Sequence, residues 1–199
     1  MKSNVCRIEN GTKDLSAILR ESEKVAVYNE LTHKQSLQLR LICEEIDGML
    51  PKIIDDFSGD FWIEVEDGVC KVNASIELES FTADKKQDLI GIAKSKKNAA
   101  AVGIVGKIRS TVENWFLDEE NLKNLAITSD SYRMATGYGD DKNYSYYWSL
   151  DQYRNDVKKS EKVEAWDELE KSVIASLADD VVVGIRGKNA DIIVTKKFA

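Results

Sequence analysis

The stretch THKQSLQLRLICEEIDGMLPKIIDDFSGDFWIEVEDGVCKVNASIEL, running from Thr32 to Leu78, decides the fold. It opens on a helix start: Thr32 is followed three residues later by Gln35, the two partners of a capping box. Leu37, Leu41, Glu44, Glu45, Met49, Ile53 and Phe57 follow at helical intervals, with Leu39, Ile42, Ile46 and Leu50 as a second stripe. The pattern predicts a central helix, apolar around most of its circumference and packed on both sides, that carries two adjacent carboxylates. Pro51 predicts a kink or a break in it, and Ser58-Gly59-Asp60 a turn that closes it. Phe61 to Val65 then alternates as a strand does. Glu66-Asp67-Gly68 signals a tight hairpin turn, and the return strand runs from Val69 to Leu78.

Outward from this unit, Val5 to Ile8 predicts a short strand and Asp14 to Tyr28 a helix. Downstream, Ala99, Ala100, Ala101, Gly103 and Gly106 among Val102, Val105 and Ile108 predict a closely packed helix between Asn98 and Trp115. Short strands are expected at Ser131 to Ala135 and Tyr144 to Leu150, a charged helical stretch from Leu150 to Leu177, and a closing hairpin of Val181 to Ile185 and Ile192 to Val194. There is no internal repeat and no shift of composition that would cut the chain, so residues 1–199 read as one domain. The order predicts an α+β protein: a two-layer sandwich, mostly antiparallel sheet with helices on one face.

Composition narrows the function classes. With 28 Lys and Arg against 35 Asp and Glu, the net charge is −7, which argues against coating nucleic acid or anionic membrane. No apolar run reaches the ~18 to 20 residues that span a bilayer, and Met-Lys-Ser-Asn-Val is not the start of a signal peptide, so a cytoplasmic protein is expected. Cys6, Cys43 and Cys70 are odd in number and widely spaced, which reads as reduced packing residues rather than a disulfide framework. The one histidine, His33, leaves no poly-His metal site, and no metal ligands are assigned.

Three groups of residues carry candidate chemistry. Glu44 and Glu45 contain a possible general base, since burial beside a like charge raises a carboxylate pKa; the plainer reading has one in solvent and the other paired with a base such as Arg40. Lys94, Lys96, Lys97, Lys107 and Arg109 with Gly91, Gly103 and Gly106 form the one concentrated basic, glycine-containing region, suited to an anion. Its glycines lack the spacing of a Walker loop, and a close-packed helix beside a solvated basic stretch gives the same composition. The aromatic run Tyr144-Ser145-Tyr146-Tyr147-Trp148 suits either a partner surface or strand packing onto helices. Asp55-Asp56, Asp140-Asp141 and Asp179-Asp180 read as turn and cap residues.

The apolar helix bearing Glu44-Glu45 and the hairpin after it resemble the first half of the histidine-kinase-like (GHKL) ATPase fold, and the closing hairpin resembles the last strands of its bacterial anti-sigma regulatory factors, which are serine kinases. In that family a helix carries a Glu that activates the attacking water and, four residues on, an Asn that holds magnesium on the ATP phosphates. The resemblance places Glu45 at the catalytic position and Met49 at that of the Asn, so ATP is the implied ligand and Mg²⁺ lacks its ligand. It also implies Asn98, Gly103, Gly106 and Lys107 as nucleotide-binding residues. The family's Asp-x-Gly-x-Gly box is replaced by Glu77-Leu78-Glu79-Ser80-Phe81-Thr82. The expectation is a regulatory, ATP-binding-like protein with degenerate hydrolysis that works through a regulatory protein partner, or, as the alternative, an active serine kinase or ATPase with Glu45 as base. The oligomeric state stays open.

Overall fold

The structure, a computed structural model, describes residues 1–10, 15–54, 57–77, 103–112, 146–160, 169, 172–186 and 189–198. In chain order these give β1 (Cys6–Glu9), α1 (Leu15–Tyr28), α2 (His33–Ile53), β2 (Ser58–Glu66), β3 (Val69–Glu77), the helical residues 103–112 (α3), β4 (Tyr146–Ser149), α4 (Leu150–Ser160), α5 (Val173–Leu177), β5 (Asp180–Arg186) and β6 (Asn189–Lys197). The strands form one six-stranded sheet in the order β1-β2-β3-β6-β5-β4, antiparallel at every pairing. This is the α+β sandwich that the order of elements predicts.

Register explains how one face becomes core. Cys6, Phe61, Ala74, Ile192, Val183 and Trp148 stand opposite one another in a single row across all six strands. Neighbouring rows on that face add Ile63, Val72, Val194 and Val181, all fully buried. The alternate positions of β2 and β3 (Asp60, Trp62, Glu64, Lys71, Ser75) lie on the other face and keep part of their surface in solvent, as the period of two requires. There Arg7 of β1 donates to Glu77 at 2.8 Å and Asp60 at 3.3 Å, and Ser75 donates to Asp191 at 2.6 Å. The helices lie across the covered face: α1 packs on β2 and α2, α2 on β3 and α5, and α4 on β4 and β5.

Local chemistry sets the boundaries. The Thr32 hydroxyl accepts from the Gln35 N–H and the Gln35 side chain accepts from the Thr32 N–H, the expected capping box. The β2–β3 hairpin turns on Asp67 and Gly68, at φ 49° and 75°, a left-handed pair that matches the twist of the strands. At the far end Asp180 accepts from the Asp151 and Val181 N–H groups, which caps α4. Arg154 donates to the carbonyls of Ala175, Ala178 and Asp179 at the end of α5. Asp180 is thus a cap residue, as its sequence suggests, whereas the Asp179 carboxylate accepts from the Lys197 N–H and the Lys196 ammonium of β6.

Four expectations need correction. Ser58-Gly59-Asp60 is the start of β2 and not a turn; Gly59 is there because a Cβ would collide with the Ser75 carbonyl oxygen of the neighbouring strand. Helix α2 runs through Pro51 without a break, because the proline sits in its last turn, where only one backbone bond is lost. Only one face of α2 is buried: Leu37 and Leu41 are 46% and 41% exposed. The charged stretch after Leu150 is not one helix, since a new one begins at Val173, with the Ser172 hydroxyl accepting from the Ala175 N–H. Ser131 to Ala135, Asp55-Asp56 and Asp140-Asp141 lie outside the described residues.

Candidate functional site

The buried face of α2 is set by Leu39, Ile42, Cys43, Ile46, Met49, Leu50 and Ile53. At about 100° per residue, the two glutamates on the opposite side diverge. Glu44 turns toward α1: Arg40 Nε donates to it at 2.9 Å, and Arg40 also reaches Glu23 of α1 at 3.7 Å. That pairing is one half of the plainer reading of the pair. Glu45 turns to the other flank, away from α1. It is half-buried, and among the described residues no hydrogen bond or ion pair engages it.

Met49 follows Glu45 by one turn on the same flank and is 3% exposed. Its thioether belongs to the core cluster, where it touches apolar neighbours and presents no hard oxygen. Magnesium requires oxygen ligands, so the residues present here do not fit that ion. Among the described residues no group of three His, Cys, Asp or Glu side chains could hold a metal. Asp47, between these positions on the α1 flank, is half-buried, and that desolvation holds its carboxyl above the usual range.

The second candidate region is partly described. Asn98 lies outside the described residues, as do Gly91, Lys94, Lys96 and Lys97. Gly103 opens the described part of α3 at φ 74°, a left-handed conformation that favours glycine. Ile104, Ile108 and Val112 bury one face of α3 in the core, and Gly106, on the other side of the helix, is buried as well. Lys107 is half-buried, and its ammonium stands 5.6 Å from the centre of the Tyr153 ring in α4. A cation over an aromatic face is attracted by the ring quadrupole. Among the described residues, no hydrogen bond or ion pair joins Glu45 to Gly103, Gly106 or Lys107. Sequence reasoning missed Tyr153 as the partner of Lys107: it reads as one more apolar residue of a helix face, and no local signal links two residues so far apart in the chain.

Two of the three thiols are no nucleophiles. Cys43 and Cys70 are fully buried and unpaired, and burial pushes both up, Cys70 to about 12. His33 is exposed at the first turn of α2. No helix among the described residues is long and apolar enough to cross a membrane. No protein-family model, curated protein or solved structure matches this chain.

Proposed function

We propose that this chain is a cytoplasmic regulatory protein of the anti-sigma type, on a histidine-kinase-like ATPase scaffold, that acts by contact with a partner protein and has lost ATP hydrolysis. The observation that carries the reading is Met49, buried one turn beyond Glu45. A carboxylate that activates a nucleophile toward a phosphate needs the metal that positions and neutralises that phosphate. A soft thioether inside the core supplies neither function. Lys107 supports the same reading, since its charge is directed at Tyr153.

The scaffold is supported by element order: a strand, two helices and a hairpin, then, after α3, β4 and α4, a short helix and a closing hairpin whose last strand lies beside β3. The second reading, an active serine kinase or ATPase with Glu45 as base, is favoured by one observation, the half-buried Glu45 carboxylate without a partner among the described residues. Calorimetric titration with ATP, with and without Mg²⁺, separates the two. The proposal expects no binding that requires Mg²⁺. Magnesium-dependent binding, weakened or lost when Met49 is replaced by a bulkier residue, would overturn it in favour of the active enzyme.

A further inference from the structure

The outward face of α2 carries an arrangement that the Glu45 flank leaves unused. Opposite Leu39, Ile42, Ile46 and Leu50, residues 37, 41, 44 and 48 succeed one another at alternating steps of four and three, the spacing of a coiled-coil seam. Leu37 and Leu41 are each more than 40% exposed. Gly48 is exposed, and nothing lies within 4 Å of the place a Cβ would occupy. Glycine in a helix interior is costly, and among the described residues nothing needs the missing side chain. The gap fits a close approach from outside.

We propose that this seam is the contact between two copies of the chain, with their α2 helices antiparallel about a two-fold axis that passes between Leu41 and Glu44. An isologous contact requires one surface to complement itself, and this stripe does so in that register. Residue 37 of one helix lies level with residue 48 of the other, so each Leu37 enters the gap at the partner's Gly48. On one flank the two Leu41 side chains meet beside the axis. On the other, each Arg40 comes within one residue of level with the partner's Glu44. Arg40 is 45% exposed on its side chain and has five donors, enough to reach this carboxylate beside its own Glu44 and Glu23. Parallel packing would instead set Arg40 against Arg40, Glu44 against Glu44 and Gly48 against Gly48, joining like charges and leaving a void. A single helix pair buries less than the roughly 1,200 Å² of a standard stable interface, so the dimer is expected to be weak, with micromolar affinity.

The test is sedimentation velocity over a concentration series from micromolar to submillimolar, for the wild type, Leu41→Glu, Arg40→Glu and the double variant Arg40→Glu/Glu44→Arg. A wild-type dimer that Leu41→Glu and Arg40→Glu each weaken at least about tenfold, and that the charge swap restores, is the expected result. All these positions are at least partly exposed, and an unchanged circular dichroism spectrum shows that each variant folds. Register is read by mixing Leu37→Cys chains with Gly48→Cys chains under oxidation, which should give the mixed disulfide. A wild type that stays monomeric throughout would overturn the proposal and leave the stripe to a different partner. So would a dimer indifferent to these variants, or cross-linking of Leu37→Cys with itself in preference to the mixed pair.

Discussion

Glu45 and Met49 stand one helical turn apart on the same flank of α2, and the charged residue is the more exposed of the two: Met49 is 3% exposed, Glu45 half-buried. The flank is therefore apolar at its base and acidic at its rim. Placing a hard ligand there by Met49→Asn removes core packing and buries an amide with no partner provided for it among the described residues. The variant should lose about 2 to 4 kcal/mol in urea denaturation, whereas Met49→Leu, close in volume, should lose less than about 1.5 kcal/mol. An Asn variant as stable as the wild type would mean that Met49 borders a solvated site.

Two glycines should respond in opposite directions. Gly59→Ala drives a Cβ into the Ser75 carbonyl oxygen and against Ile76 on the neighbouring strand, and should destabilise by about 1 to 3 kcal/mol. Gly48→Ala meets open space in a regular helix and should stabilise the monomer by about 0.5 to 1 kcal/mol. Urea midpoints measured at one dilute concentration check both.

Two carboxylates give the pH dependence opposite signs. Burial raises the Asp47 pKa, so as pH rises past the ordinary range the unfolded chain ionises first, and stability falls until the folded group has ionised too. Asp47→Asn should therefore raise the melting temperature at neutral pH, and the gain should vanish in acid, below both pKa values. Glu21 is lowered, first by the hydrogen bond from Lys24, at 2.5 Å, and further by Asn4. It contributes stability above the ordinary carboxylate range that is lost as pH falls through its folded pKa, so Glu21→Gln should cost stability at neutral pH and little in strong acid.

The contact of Lys107 with Tyr153 links α3 to α4. A double-mutant cycle of Lys107→Met and Tyr153→Leu should give a coupling of about 0.5 to 1 kcal/mol. A coupling of zero would remove this reason for setting Lys107 aside as a phosphate ligand.

What the sequence revealed and what it hid follow the range of the forces. Thr32 with Gln35 and Asp67 with Gly68 act within a few residues, so the start of α2 and the turn of the first hairpin were legible to the residue. Ser58-Gly59-Asp60 was misread because a turn and a strand pressed against its neighbour both call for glycine, and only the position of Ser75 tells them apart. Leu37 and Leu41 were read as core because apolar residues at helical spacing look alike whether a neighbour covers them or not. At the candidate site Glu45 and Met49 could be placed on one flank from their spacing. The burial of Met49 and the turning of Lys107 toward Tyr153 depend on packing between distant segments, which a linear pattern does not encode.

The central claim is that Glu45 drives no hydrolysis, because the position one turn away is filled by Met49. It is tested most directly by phosphate release from millimolar ATP in excess Mg²⁺, comparing the wild type with Glu45→Gln. The account predicts that both stay at the rate of buffer alone; a wild-type rate clearly above that background, abolished by Glu45→Gln, would contradict it.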